Sequence, residues 1–264
     1  MMNVEHTVVS ASARPAMSPL KVLAAYLQET RSECLRYLRS PGFVLPTMLF
    51  PAVFYLMFAV VLGARNGADA SRYLLAAYSV FGVMAPGLFG FGMSLALERD
   101  NGLLTLKRAL PMPAAAYLFG KMVMAMLMAL LIALELLWLS TTFAGVELAP
   151  PQMAALVLVC MFGALPFCAL GLLLGTLVKG QAAPALVNLL YLPMAFLSGL
   201  WFPLSMLPAV IQKVAPWLPS YHLNQLALTA VGFAAGDVRP ALLWLLLFTV
   251  VVTALAGRRL RRHG

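Results

Sequence analysis

The residues of this chain that could do chemistry are few, and one is an acid inside an apolar run. Glu135 is the only charged residue between Met122 and Val146. A carboxylate placed in hydrocarbon is costly and often functional, so Glu135 is a candidate contact for a proton or a substrate. The alternative is an interfacial group that reaches water, since Glu135 would lie about 10 Å from the end of its helix. The sequence leaves both readings open.

Other kinds of catalytic site are poorly supported. The only Gly-Lys pair, Gly120-Lys121, is followed by Met122 and completes no GxxxxGK[ST] phosphate-binding loop. We therefore expect no ATPase activity in this chain. A serine hydrolase built from Ser198 and His222 is conceivable, but serine beside glycine is common packing in membrane helices. The three cysteines lack the spacing of a metal site, and no metal is expected.

The most specific signal is the stretch ERDNGLLTLKRALPMPAAAYLFGK, residues 98–121, which places six charges between two apolar runs. Gly102 permits a sharp turn. The sequence LLTLKRAL can form about two helical turns, and Pro111 stops that helix. A solvated loop would not need leucines on a short rigid element, whereas a helix that docks on a partner would. We therefore predict a docking helix that uses Leu103 and Leu106.

The elements that must position these residues are membrane helices. The chain of 264 residues is 62% hydrophobic and only 10% charged, whereas a soluble domain has about 25% charged residues. A helix needs about 20 apolar residues to span hydrocarbon, where the backbone must satisfy its own hydrogen bonds. The composition predicts an all-α membrane protein. Its six spans are expected near residues 42–63, 73–97, 117–142, 152–178, 184–203 and 239–257.

The basic residues sort sharply between the two sides of this predicted topology. One side receives 14 of the 18 lysines and arginines, including Arg99, Lys107 and Lys121. By the positive-inside rule that side is the cytoplasm, and both termini lie in it. Anionic lipid and an acidic cytosolic partner then explain the net charge of +9, so membrane lipid is an expected partner and nucleic acid is not.

Four further segments complete the predicted organisation. Residues 1–17 are predicted to be a disordered tail, and residues 258–264 a basic cytoplasmic tail. Residues 18–40 predict an amphipathic helix along the inner leaflet, because their leucines repeat at three- and four-residue spacing. Residues 204–236 are too broken by proline to cross as one helix, yet too apolar for a solvated loop. We expect short re-entrant helices there, at the outer face of a six-span domain that covers residues 41–257.

The charged stretch resembles the first cytoplasmic loop of ABC-2 type exporter permeases. The segment from Asn188 to Leu228 is similar to the end of the fifth span and the outer re-entrant helices of the same family. Together with the six spans and the amphipathic helix, the resemblance extends over nearly the whole chain. The residues that match the family's loop are Glu98, Gly102, Pro111, Gly120 and Lys121.

The resemblance implies the membrane subunit of an ATP-driven exporter in a cell membrane, which in a bacterium is the inner membrane. Two six-span permeases would form the pore, as a homodimer or a heterodimer. Separate ABC ATPase subunits would carry ATP and Mg, so this chain would bind no cofactor itself. The loop between the second and third spans would be a coupling helix docked on the ATPase. The alternative is an ion-coupled secondary transporter that uses Glu135.

The predicted orientation can be tested by labelling single cysteines in a cysteine-free background. Cysteines at Asn66 and Gln212 should react with a membrane-impermeant maleimide in intact cells, because both positions fall on the outer side. Cysteines at Thr105 and Arg261 should react only after the membrane is opened. Labelling of Thr105 in intact cells would invert the topology.

Overall fold

A computed structural model describes residues 18–61, 67–109 and 113–263 of the chain. The predicted tail at residues 1–17, and Pro111, lie outside the described residues. Within the described residues nearly every segment is helical and no strand occurs, so the predicted all-α class is confirmed.

Eleven α-helices follow one another along the described chain. Their bounds are α1 Pro19–Leu38, α2 Pro41–Tyr55, α3 Gly67–Ala85, α4 Ser94–Asp100, α5 Leu103–Ala109, α6 Ala114–Phe143, α7 Pro150–Leu177, α8 Ala183–Leu197, α9 Ala209–Val214, α10 Pro219–Ala230 and α11 Arg239–His263. Two π-helical segments, Leu56–Val61 and Pro86–Met93, extend α2 and join α3 to α4. Short 3-10 turns lie at Gly180–Ala182, Leu204–Met206 and Ala215–Trp217.

Among the described residues, six continuous helical runs are long and apolar enough to cross a membrane, which confirms the predicted number of spans. The first to sixth spans are Pro41–Val61, Asp69–Asp100, Ala115–Phe143, Pro150–Leu177, Gly180–Leu197 and Arg239–Leu260. The helix α1 precedes them, α5 connects the second span to the third, and α9 and α10 lie between the fifth and sixth.

The ends of two spans differ from the predicted bounds. The fifth span stops at Leu197 rather than near residue 203, because Gly199 takes a φ of +78° and turns the chain. The last helix continues to His263, so the described part of the predicted basic tail is helical. Residues 204–236 form several short helices as expected, and their re-entrant placement stays a prediction.

The second span is the most buried of the six. Within its most apolar window, 83% of the residues are buried, against 22% for the first and sixth spans. Pro86 begins its π-helical segment, because proline supplies no backbone N–H and breaks the regular hydrogen-bond ladder. Beyond this irregular segment, the Ser94 hydroxyl donates to the carbonyl oxygen of Gly90 at 2.6 Å. The first, third, fourth and fifth spans and α10 pack against it.

Glycines let the second and fourth spans approach until their backbones touch. A Cβ atom added to Gly92 would lie 2.6 Å from the Cα of Gly171, and one on Gly87 would lie 2.8 Å from the backbone nitrogen of Cys168. A Cβ on Gly175 would lie 2.9 Å from the carbonyl oxygen of Gly92. Small residues allow this close packing of membrane helices. The two spans are therefore locked in register by steric fit.

Beyond the end of the fifth span, Ser198 and His222 do not form a catalytic pair. The Ser198 hydroxyl shares a hydrogen bond with the hydroxyl of Ser220 at 2.5 Å. The His222 ring bonds to the carbonyl oxygen of Pro216 at 2.8 Å and stacks on the indole of Trp244, with ring centroids 4.3 Å apart. Both side chains have structural partners, and the geometry gives the hydrolase alternative no support.

We expect Gly171→Val to destabilise the protein, because its side chain would push apart two backbones that are in contact. Overpacking of this kind costs roughly 1–3 kcal/mol or more. The matched control is Gly257→Val, also in a helix, where an added Cβ atom has no neighbour within 4 Å. Thermal unfolding in detergent should show a lower midpoint for the first variant alone. Equal midpoints would contradict the close packing.

Candidate functional site

Three consecutive charged residues end the second span, and each contacts a different element. Arg99 donates from its guanidinium to the carbonyl oxygens of Gly175 at 2.9 Å and Val178 at 2.7 Å. These carbonyls belong to the last turn of the fourth span, where the helix leaves its acceptors unpaired and its dipole is negative. Arg99 therefore ties the end of the second span to the end of the fourth.

Asp100 ties the same end to the start of the fifth span. Its carboxylate oxygen Oδ2 accepts from the backbone N–H of Gly180 at 2.6 Å. A Cβ atom on Gly180 would lie 3.0 Å from the Cα of Leu97, so glycine permits this approach. A carboxylate at a helix N-terminus satisfies an unpaired donor and is favoured by the helix dipole.

Glu98 turns towards the third span and towards α1. Its carboxylate accepts from the ammonium of Lys121 at 2.9 Å, from the guanidinium of Arg36 at 2.6 Å, and from the hydroxyl of Tyr117. Glu98 is itself buried. A buried carboxylate is tolerated only when charged and hydrogen-bonding partners replace water, and here three side chains from two elements do so.

Lys121 lies at the centre of the ion pairs. Its side chain is 0% exposed, and its ammonium donates to Glu33 at 3.1 Å, to Glu98 at 2.9 Å and to the hydroxyl of Ser94 at 2.8 Å. A lysine ammonium has three N–H donors, so each finds one acceptor. Such a charge is stable without water only while these acceptors stay in place.

The helix α1 packs against this end of the bundle through its acidic face. Glu33 is 2% exposed and pairs with Arg36 as well as Lys121. A Cβ atom on Gly120 would lie 3.2 Å from the backbone nitrogen of Thr30, so glycine lets α1 cross the third span closely. Tyr26 of α1 adds an edge-to-face contact with Phe119 of α6.

The short helix α5 is attached to the same ion pairs. Lys107 pairs with Glu29 and, at 3.3 Å, with Glu33, both on α1. Its ammonium also lies 4.2 Å from the ring centroid of Tyr117 on α6. We call Glu29, Glu33, Arg36, Glu98, Lys107 and Lys121 the ion-pair network. It joins α1, α5 and the second and third spans at one end of the bundle.

The network also raises the pKa of its most exposed member, Arg36. Burial alone would lower the pKa of the Arg36 guanidinium, but the neighbouring carboxylates of Glu33 and Glu98 outweigh burial and raise that pKa above its ordinary value. An arginine is always charged in proteins, and Arg36 bridges two carboxylates that would otherwise repel each other.

The three leucines of α5 do not share one environment. Leu106 is 63% exposed and Leu103 is half-buried, so both are accessible to a partner. Leu104 instead packs inward against the buried cluster that contains Phe91 and Tyr117. Gly102 takes a φ of +73°, which confirms the predicted sharp turn before α5.

Of the other predicted residues, the structure brings Glu98, Gly120 and Lys121 together and leaves Glu135 apart. Glu135 lies fourteen residues beyond Lys121 on α6, about 21 Å along the helix. It is half-buried, and its oxygen Oε2 has no hydrogen-bond partner among the described residues. The role of Glu135 as a proton or substrate contact stays a prediction.

Sequence reasoning missed the contribution of α1. Glu29, Glu33 and Arg36 belong to the polar face of the predicted amphipathic helix, and such a face is usually solvated. The signal that could have revealed them is the i, i+4 pair of acids. These two carboxylates are rare negative charges on a strongly basic side of the protein, where the buried Lys121 needs acceptors.

Comparison with known proteins identifies the class of this bundle. The family model described as ABC-2 family transporter protein matches residues 59–258. The chain is also 31% identical over 200 residues to the Bacillus subtilis (strain 168) protein named "Putative transport permease YvfS", a match that covers 75% of this chain and 81% of that protein. The chain belongs to the ABC-2 family of transporter proteins and is a multi-pass membrane subunit of a transporter.

Replacing Lys121 tests the energetic role of the network. Lys121→Met should destabilise the protein by about 3 kcal/mol, the lower end for a broken buried ion pair, because Arg36 still contacts both carboxylates. Combining it with Glu33→Gln should cost less than the sum of the two single changes. Unfolding in detergent measures both effects.

The matched control for Lys121→Met is Lys179→Met, which removes the same charge from an exposed side chain. It should change stability by no more than about 0.5 kcal/mol. Additive effects of Lys121→Met and Glu33→Gln would show that the two residues are not coupled.

Proposed function

We propose that this chain is the permease subunit of an ABC exporter, in which a separate ATPase subunit hydrolyses ATP. The observation that carries the proposal is the placement of α5. Its exposed Leu106 is available to a partner, while Lys107 and Leu104 hold the helix against the rest of the protein. Membership of the ABC-2 family supports an ABC ATPase as that partner.

The geometry supports a mechanical route from α5 into the bundle. A load on α5 reaches α1 through Lys107 and Glu33, and the third span through Tyr117. The second span, whose end precedes α5, is fixed to the fourth and fifth spans by Arg99 and Asp100. A displacement of α5 would therefore move the ends of four spans and α1 together, rather than bend one loop.

The proposal places α5 in the cytoplasm, with both termini, and the protein in a bacterial inner membrane. Its support is the asymmetric distribution of basic residues, by the positive-inside rule. ATP and Mg would be held by the partner, and this chain would carry no cofactor. Export is the direction suggested by the resemblance of the loop and of the outer segment.

We further propose that two permease copies line the transport path, as a homodimer or a heterodimer. The first and fifth spans support this, since only 22% and 33% of the residues in their most apolar stretches are buried within one copy. A groove between these spans is lined by Phe43, Thr47, Asn188 and Tyr191, which places three side chains with polar groups on an otherwise apolar face. Such a face suits contact with a second copy or a substrate.

The second candidate function is ion-coupled transport through Glu135. The observation in its favour is the buried oxygen of that carboxylate without a hydrogen-bond partner among the described residues. The two proposals differ in energy source. Transport in vesicles that requires ATP and the ATPase subunit, and survives collapse of the proton gradient, would favour the ABC exporter. The opposite dependence would favour the alternative.

The docking role of α5 predicts a specific loss of partner binding. Leu103→Ala with Leu106→Ala should abolish copurification of a co-expressed cognate ATPase and ATP-dependent transport, while the unfolding midpoint of the permease is unchanged. Burial of one leucine contributes roughly 1.5–3 kcal/mol. Losing two can therefore weaken docking by more than about a hundredfold, at 1.4 kcal/mol per decade.

The matched control makes the same two changes on α1. Leu27 and Leu38 are exposed leucines on the predicted lipid-facing stripe, so Leu27→Ala with Leu38→Ala should retain the ATPase. If the α5 variant copurifies with a full complement of ATPase and transports normally, α5 is not the docking helix.

A further inference from the structure

A continuous groove runs along the side of the bundle between the fourth and sixth spans, with α10 as its floor. Two cavities of about 330 Å³ and about 370 Å³ form it, and both are lined by Val159, Leu226 and Leu242. One member of this shared set comes from each of α7, α10 and α11. The two cavities are therefore parts of one elongated depression on the surface of the protein.

The lining of the groove changes along its length. Gln152 and Thr229 lie at the end near the start of the fourth span, where the groove opens. Deeper in the groove the lining includes Phe162 and Pro166, and almost all of it is apolar. The one hydroxyl there, that of Thr249, already donates to the carbonyl oxygen of Leu245 at 2.7 Å. The groove thus has a polar mouth and an apolar body.

The length of the groove matches one leaflet of a membrane. Gln152 and Pro166 are fourteen residues apart on α7, which corresponds to about 21 Å along a helix. One leaflet, head groups included, is roughly 20–22 Å thick. A groove that begins among the head groups would therefore reach about the middle of the bilayer, where an acyl chain ends.

A positive charge comes directly after the mouth in sequence, because Arg239 follows Val238, which lines the open cavity. Arg239 is the first residue of α11, and it is exposed. Leu242 and Leu246, which line the groove, follow it at spacings of three and seven residues, so Arg239 lies on the same side of the helix. A guanidinium at this position can hold the phosphate of a lipid whose chain enters the groove.

We propose that this groove binds one acyl chain of an anionic phospholipid, with the lipid phosphate at Arg239. The lipid belongs to the leaflet opposite the ion-pair network, which is the outer leaflet in the proposed orientation. The site itself does not depend on that orientation or on ATPase coupling. Because bulk lipid tails are as apolar as the groove, the chain alone gives little preference. The charged head group at Arg239 supplies the selectivity.

Native mass spectrometry of the purified protein tests this site, with phosphatidylglycerol as the titrated probe. Leu246→Trp fills the groove, whereas Leu247→Trp adds the same bulk about 100° further around the helix, outside the groove lining. The two leucines are 63% and 65% exposed, so the variants are closely matched. We expect wild type and Leu247→Trp to retain one lipid per chain, and Leu246→Trp to need on the order of tenfold more lipid for the same occupancy.

A second comparison addresses the head group. Arg239→Gln should abolish the preference for phosphatidylglycerol over phosphatidylcholine, and ATPase copurification should remain normal in all three variants. Equal lipid retention by Leu246→Trp and Leu247→Trp would overturn the proposal. So would a change in oligomeric mass of Leu246→Trp with its lipid count unchanged, because the groove would then be a contact between protein copies.

Discussion

The end of this transporter subunit that carries the ion-pair network depends on one buried ammonium group. Lys121 has no contact with solvent and is held by Glu33 and Glu98, from two different helices. A buried charge without its partners costs several kcal/mol, so α1 and the end of the second span are required to stay beside the third span. Apolar packing alone would let these helices slide, since lipid is as good a neighbour as leucine.

The network fixes the relative positions of helices in a bundle that is otherwise uniformly apolar. Spacing of glycines fixes the second span against the fourth, and charges fix its end against α1 and the third and fifth spans. The residues Glu98, Arg99 and Asp100 are adjacent in sequence but contact three different parts of the protein. A force applied to α5, directly after them, is in our account distributed to all of these parts at once.

Most of the architecture could be predicted from the sequence, because a membrane helix requires a run of about 20 apolar residues, which is visible in the sequence. The six spans and the turn at Gly102 needed only hydropathy and one glycine. The ion-pair network could not be predicted, because Glu33 and Lys121 are 88 residues apart. The sequence of the polar face of α1 does not show whether that face contacts water or a buried lysine. Likewise, nothing local separates Leu104, which packs inward, from the exposed Leu106.

In the mechanism that we propose, α5 and α1 move as one rigid body when the ATPase closes. Spin labels at Gln28 on α1 and Thr105 on α5, both exposed, measure it by pulsed electron resonance when labelled copies are diluted with unlabelled ones. Our account predicts one narrow distance that is the same with and without ATP, while the distance from Thr105 to a label at Gln212 changes. A Gln28 to Thr105 distance that shifts or broadens during ATP turnover would contradict it.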